Sequence, residues 1–131
     1  MGIVIGLVGC GRWGTNHLRV MKRLQNEGLV QRVVVCDVDS ERLASIQVDA
    51  TYANLESMLS AEPLAGVAIA TPPETHLGLA NMVLDMNIPL LLEKPLSKNH
   101  TASKTFLAEL PNDSILAVSY THLRAHETAY Y

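Results

Sequence analysis

Residues 3–18, IVIGLVGCGRWGTNHL, leave few folds open to this chain of 131 residues. The apolar run Ile3, Val4, Ile5, Leu7 and Val8 ends in Gly9-Cys10-Gly11-Arg12-Trp13-Gly14, and a helical pattern starts at once. Strand, glycine turn and helix in that order carry the spacing G-x-G-x-x-G. The glycines play separate parts. Gly9 allows the tight turn, Gly11 the close approach of the backbone to a pyrophosphate, and Gly14 the close packing of helix on strand. The start of the helix offers free N–H groups and the positive end of a dipole to phosphate. Arg12 and Trp13 are expected to contribute their backbone N–H groups. Trp13 either covers a dinucleotide or packs in the core.

Alone, the glycine motif is a weak signal, and its weight depends on the rest of the chain. A helix is expected over 13–25, with Trp13, His17, Val20 and Leu24 at heptad-like spacing, Leu18 and Met21 beside them, and Gly28 as its stop. Val33-Val34-Val35-Cys36 is a continuous run of the kind that suits a parallel strand buried on both faces. Shorter elements continue the alternation: a helix opened by Asp39 or Ser40, a strand over 50–52, a helix capped by Asn54, and a strand over 66–70. A helix from His76 to near Asn87, a strand over 89–92, a helix over 101–110 and a strand over 115–118 complete it. Six strands alternating with five helices imply an α/β fold, a doubly wound parallel sheet in the order 3-2-1-4-5-6. Ligands of such sheets bind at the carboxyl ends of the strands, where the order reverses.

The chemistry-bearing residues sit at those ends. Asp37 lies 23 residues after Gly14 at the tip of the second strand. A carboxylate there can accept both hydroxyl hydrogens of an adenosine ribose, or it can cap the turn into the next helix. Asp39 and Glu41 add negative charge nearby, which repels a 2′-phosphate and favours NAD over NADP. Arg42 is the one local cation that argues the other way. Thr71-Pro72-Pro73-Glu74-Thr75-His76 ends the fourth strand, and Glu93-Lys94-Pro95 the fifth.

Composition narrows the class. With 48% hydrophobic and 18% charged residues the chain is globular rather than disordered, and its formal charge of −3 gives no basic footprint for nucleic acid. No apolar stretch approaches the roughly 20 residues that span a bilayer. No basic segment marks a secretory signal, and Gly6 stands where a myristoylation motif requires Ser or Thr. Cys10 and Cys36 make no disulfide framework and are expected to be small buried residues, so a cytoplasmic location is expected.

The glycine turn, Thr71-Pro72-Pro73-x-x-His76 and Glu93-Lys94-Pro95, taken together, make residues 3–118 resemble the Gfo/Idh/MocA oxidoreductases. The resemblance implies that Thr71, Pro72, Pro73 and His76 line the nicotinamide-side ribose and that Glu93 contacts the cofactor near the nicotinamide. It implies that Lys94 binds a substrate hydroxyl and assists its proton transfer, and that Pro95 shapes the turn. Read from residue chemistry alone, Lys94 is either a cation beside a developing alkoxide or half of a surface ion pair with Glu93. His76 is either structural or a cofactor contact, and His17 and His100 carry no functional expectation.

Family members act by hydride transfer on sugars, polyols or nucleotide-sugars and are usually homo-oligomers. They carry a second α/β domain that binds the sugar and supplies a catalytic histidine. The 131 residues do not contain that domain, so the catalytic set is expected to be incomplete on this chain. The alternative is a standalone module that binds or senses NAD without turnover. A domain over 1–118 is followed by an atypical tail, 119–131, with two of the five His and three of the four Tyr. Within it, SYTHLRAHET resembles a translated synthetic sequencing adaptor, which implies foreign sequence. His122 and His126, with Glu127 next to them, have the i, i+4 spacing of a metal-binding pair, but no third ligand is placed nearby, so no metal site is expected.

Overall fold

The computed structural model describes residues 2–94, 97–110, 114–119 and 128–130. Strands β1 (Val4–Val8), β2 (Arg32–Cys36), β3 (Ala50–Tyr52), β4 (Leu64–Ile69), β5 (Leu90–Glu93) and β6 (Leu116–Ser119) alternate with five helices. These are α1 (Arg12–Asn26), α2 (Ser40–Ala44), α3 (Leu55–Ala61), α4 (His76–Asp85) and α5 (His100–Ala108). The six parallel strands stand in the expected order, 3-2-1-4-5-6. A seventh, β7 (Thr128–Tyr130), adds an antiparallel edge to β6 and lies within the stretch read above as a tail.

Strand β2 shows why the sheet sits where it does. Val33, Val34 and Val35 are all fully buried. Successive side chains of a strand point to opposite faces. Val33 and Val35 therefore join Leu7, Leu18 and Met21 in one core, while Val34 and Cys36 join Met58, Ile69, Val83, Leu92 and Phe106 in the other. Helices α1 and α2 cover the first face, and α3, α4 and α5 the second. Beyond α1, the first face carries an apolar groove of about 360 Å³ bordered by Ile5, Val20, Leu24, Leu91 and Ile115.

The inner face of α1 differs from the expected one. Gly14, Leu18 and Met21 are buried, whereas Trp13 and Val20 are 43% and 50% exposed. The close contact of Gly14 with the turn sets the rotation of the helix, and positions four and seven residues later then share its face. Helix ends follow local chemistry. Asp39, Asn54 and Asn99 cap α2, α3 and α5 by accepting from the N–H of Glu41, Ser57 and Ala102. At the end of α1, Gly28 takes φ +81° and the N–H of Leu29 reaches back to the Leu24 carbonyl. Asn87, at φ 58°, plays the same part after α4.

Carboxylates knit the strands at the edge away from the site. Glu62 accepts two hydrogen bonds of 2.8 Å from the Arg32 guanidinium and one of 2.5 Å from the Tyr52 hydroxyl. Asp49 accepts from the Val33 N–H and the Gln25 amide, each at 2.8 Å. The Arg32 bond holds the Glu62 carboxyl below its ordinary value of 4.5, against the opposing effect of burial. The Val33 N–H does the same for Asp49, below 3.8. A carboxyl whose folded value is depressed binds a proton more readily when unfolded. Its contribution is therefore present above the unfolded value and lost as pH falls through the folded one. Thermal melts are expected to give a constant Tm near neutrality and a Tm that drops as pH passes below 4.5 and then 3.8. A Tm unchanged to pH 3 (roughly a unit below both values) would overturn this.

Candidate functional site

The carboxyl ends of β1, β2, β4 and β5 border one cleft of about 780 Å³. Gly9, Gly11, Arg12, Trp13, Asp37, Thr71, Pro72, Pro73, Glu93 and Lys94 line it, so ten of the twelve residues singled out from the sequence meet there. The other two, Gly14 and His76, stand one layer behind. Pro95 and the His122, His126 and Glu127 set lie outside the described residues.

The glycine turn is built as its spacing requires. Gly9 has φ +90°, and a Cβ there would stand 3.0 Å from the Ala70 carbonyl oxygen. Its N–H bonds the Cys36 carbonyl at 2.9 Å, which ties the turn to β2. A Cβ on Gly14 would lie 1.9 Å from the Gly9 carbonyl oxygen. Gly11 caps α1 without any side-chain hydrogen bond, and no acidic residue occupies the first turn. The start of a 15-residue helix thus faces the cleft with its dipole uncompensated by a side chain. That fits a phosphate.

Of the two readings open to Asp37, the structure shows the cap. Its Oδ2 accepts from the Cys10 N–H at 2.8 Å and faces the Cys10 thiol at 3.4 Å, and its Oδ1 accepts from the Asp39 N–H at 2.8 Å. It caps the turn, and it also ties that turn to the glycine loop. A carboxylate has about four lone-pair positions, so Asp37, which lines the cleft, keeps acceptor capacity beyond these bonds. Burial opposes its ionisation, but the N–H groups of Cys10 and Asp39, the thiol and Arg42 together hold the carboxyl below its usual range. Asp37 is thus an anion at neutral pH. The Arg42 guanidinium lies 3.7 Å from both Asp37 and Asp39 and remains half exposed. Burial pushes the Cys10 thiol up to about 11 and the Cys36 thiol to about 12, so both are neutral packing groups.

At the tip of β4, Thr71 and Thr75 share a hydrogen bond of 2.6 Å, and the Thr75 hydroxyl bonds the Pro72 carbonyl at 2.6 Å. His76 is 1% exposed, and its Nε2 stands 2.7 Å from the Thr71 carbonyl oxygen. A carbonyl only accepts, so Nε2 carries the hydrogen and the ring supports the loop from behind. Glu93 is buried, and its Oε1 lies 2.5 Å from Nε2 of His17 on α1. Lys94 follows at the rim, half-buried.

Three participants were not expected. His17 reaches Glu93 across 76 residues of sequence, a pairing that no local pattern announces. Thr75 lines the cleft beside Thr71. Val38, 94% exposed at its edge, is an apolar residue inside an otherwise charged turn, a signal that was available. Among the described residues no cluster has the make-up of a metal site, and no helix is long and apolar enough to cross a membrane.

A parallel sheet with a glycine turn, an uncapped helix start and an acidic β2 tip defines a dinucleotide-binding Rossmann domain. The model of the Gfo/Idh/MocA oxidoreductase family, NAD-binding Rossmann fold, matches residues 3–120, and the chain belongs to that family. It is 29% identical over 106 residues to a D-apiose dehydrogenase of Paraburkholderia graminis, covering 78% of this chain and 28% of that protein. It is 32% identical over 104 residues to inositol 2-dehydrogenase 4 of Saccharopolyspora erythraea, covering 76% and 30%. The WlbA dehydrogenase of Bordetella pertussis, solved with NADH and UDP-GlcNAcA, superposes with a TM-score of 0.75 at 25% identity, over 89% of this chain and 36% of that one. The chain thus spans less than a third of the length of these two sequence relatives.

Proposed function

We propose that this chain is the cofactor-binding part of an NAD-dependent dehydrogenase that oxidises a CH–OH group of a sugar, polyol or nucleotide-sugar. The ionised, buried Asp37 at the edge of the cleft is the observation that carries the reading. Its remaining acceptor capacity suits a ribose hydroxyl, and with Asp39 and Glu41 its charge disfavours a 2′-phosphate. The pyrophosphate belongs over the turn from Gly9 to Gly14, at the start of α1. The nicotinamide half then extends past Thr71, Pro72 and Pro73 toward Glu93, with His76 holding the loop. NAD supplies the hydride acceptor. Lys94 places a cation at the rim of the cleft, where it stabilises negative charge on a substrate oxygen. The His17 bond orients Glu93 and with it the chain that carries Lys94.

Catalysis is proposed to need further chain, since the dehydrogenases it matches are about three times as long. The apolar groove beside α1 supports a covering element. We read 1–118 as the domain and 119–131 as a tail of foreign origin, with β6 running one residue and the family match two residues into it, and place the intact enzyme in the cytoplasm as a homo-oligomer. Two measurements test this. Titration of the folded chain with NADH, followed by nicotinamide fluorescence, is expected to show saturable binding, and none would overturn the assignment. Genomic DNA beyond Val118 is expected to continue into a sheet-rich domain. A stop at Tyr131 would favour a binding module without turnover.

A further inference from the structure

We propose that Thr75 is a positioning residue that turns Thr71 into an obligate hydrogen-bond acceptor, so that this point of the cleft selects a donor group on the nicotinamide half of the cofactor. The inference rests on the NAD reading above and extends it to the polarity of one contact.

Counting protons carries it. The Thr75 hydroxyl stands 2.6 Å from the Pro72 carbonyl oxygen. A carbonyl has no proton to give, so the single Thr75 proton lies in that bond. The Thr71 and Thr75 oxygens are themselves 2.6 Å apart, and with the Thr75 proton engaged only Thr71 can donate between them. Thr71 is left with lone pairs and no hydrogen. Its orientation is held as well. The Thr71 Cγ2 methyl packs on Gly9, 2.8 Å from where a Cβ would stand, which keeps the hydroxyl toward Thr75. The Thr75 N–H bonds the Pro72 carbonyl at 3.0 Å, and His76 secures the Thr71 carbonyl at 2.7 Å. The acceptor is therefore set before any ligand arrives.

Its place in the cleft names the ligand chemistry. The sheet order puts the β1 turn between Asp37 on β2 and Thr71 on β4. With pyrophosphate at the turn and adenosine ribose at Asp37, the group that meets Thr71 belongs to the nicotinamide half. A phosphate oxygen or a carbonyl, which only accepts, is rejected there. A ribose hydroxyl or the carboxamide N–H₂ satisfies it.

The test is a double-mutant cycle on NADH binding by the full chain. Thr71→Val and Thr75→Val are each expected to weaken NADH about three- to tenfold, the worth of one neutral hydrogen bond. The double variant is expected to bind no worse than Thr71→Val alone, and Thr75→Ser to bind within about twofold of wild type. Equal effects of Thr75→Val in the two backgrounds would mark a merely structural role and overturn the proposal. Thr75→Ala repeats the cycle if thermal melting shows that the valine variant does not fold. Acetylpyridine adenine dinucleotide lacks the amide N–H. A Thr71→Val penalty that persists with its reduced form assigns the donor to the ribose, and one that vanishes assigns it to the carboxamide. A wild-type chain that binds no NADH overturns the NAD reading and this inference with it, whereas normal binding with additive variants overturns this inference alone.

Discussion

Replacing Gly14 with alanine is expected to destabilise the chain by at least about 3 kcal/mol, at the upper end of what overpacking a core costs. Helix propensity alone points the other way, because Ala in a helix interior is favoured over Gly by about 1 kcal/mol. The contact decides the sign. The new methyl would stand 1.9 Å from the Gly9 carbonyl oxygen and 2.7 Å from its carbon. Both are backbone atoms of a turn that is itself pinned, so no side chain can rotate away to make room. Relief requires α1 to lift from β1, which also pulls the helix start out of the cleft. Gly78 on α4 is the internal control. Nothing lies within 4 Å of a Cβ there, so Gly78→Ala is expected to gain about 0.5–1 kcal/mol from propensity. Urea unfolding of the two variants checks both, and a Gly14→Ala protein as stable as wild type would sink the account. Since domains are stable by only about 5–15 kcal/mol, the first variant is expected to lose NADH binding together with much of its folded population.

Asp37→Ala is expected to weaken NADH binding about ten- to hundredfold, as loss of a hydrogen bond to a charged group implies. NADPH is expected to gain relative to NADH, because the carboxylate that repels a 2′-phosphate is gone while the Arg42 guanidinium, 3.7 Å from it, stays. The same substitution leaves the N–H groups of Cys10 and Asp39 without their acceptor, so some loss of stability accompanies it. Asp37→Asn separates the two effects. It keeps an oxygen for one of those N–H groups, removes the charge, and is expected to reproduce most of the change in the NADH to NADPH ratio. Parallel fluorescence titrations with the two reduced cofactors supply the measurement. A ratio that neither variant alters would remove Asp37 from the adenosine side of the site.

Much of the fold is legible in the residues themselves. The valines of β2 state a strand covered on both faces, because a half-exposed strand alternates apolar with polar residues whereas this run is apolar throughout. Gly9, Gly11 and Gly14 state a turn whose backbone must pass close to something, and Asp39, Asn54 and Asn99 mark helix starts by chemistry that acts over two or three residues. The rotation of α1 is not legible in the same way, for a physical reason. The heptad-like row through Trp13 and Val20 is a genuine pattern, but one backbone contact at Gly14 turns the helix to bury Leu18 and Met21 instead.

Local chemistry along the chain settles the order of elements, the glycine turn and the four strand tips that border the cleft, since propensity, capping and φ preference act between near neighbours. How those tips act on one another is a property of the closed fold alone. Closure places His17 on Glu93, sets Asp37 both on the glycine loop and on its own turn, moves His76 behind the Thr71 loop, and makes Thr71 an acceptor through Thr75. Each depends on the direction of a hydrogen bond or on a distance across the sheet. Such quantities exist only once the chain has closed, because residues as far apart in sequence as His17 and Glu93 meet only when α1 has packed on the sheet.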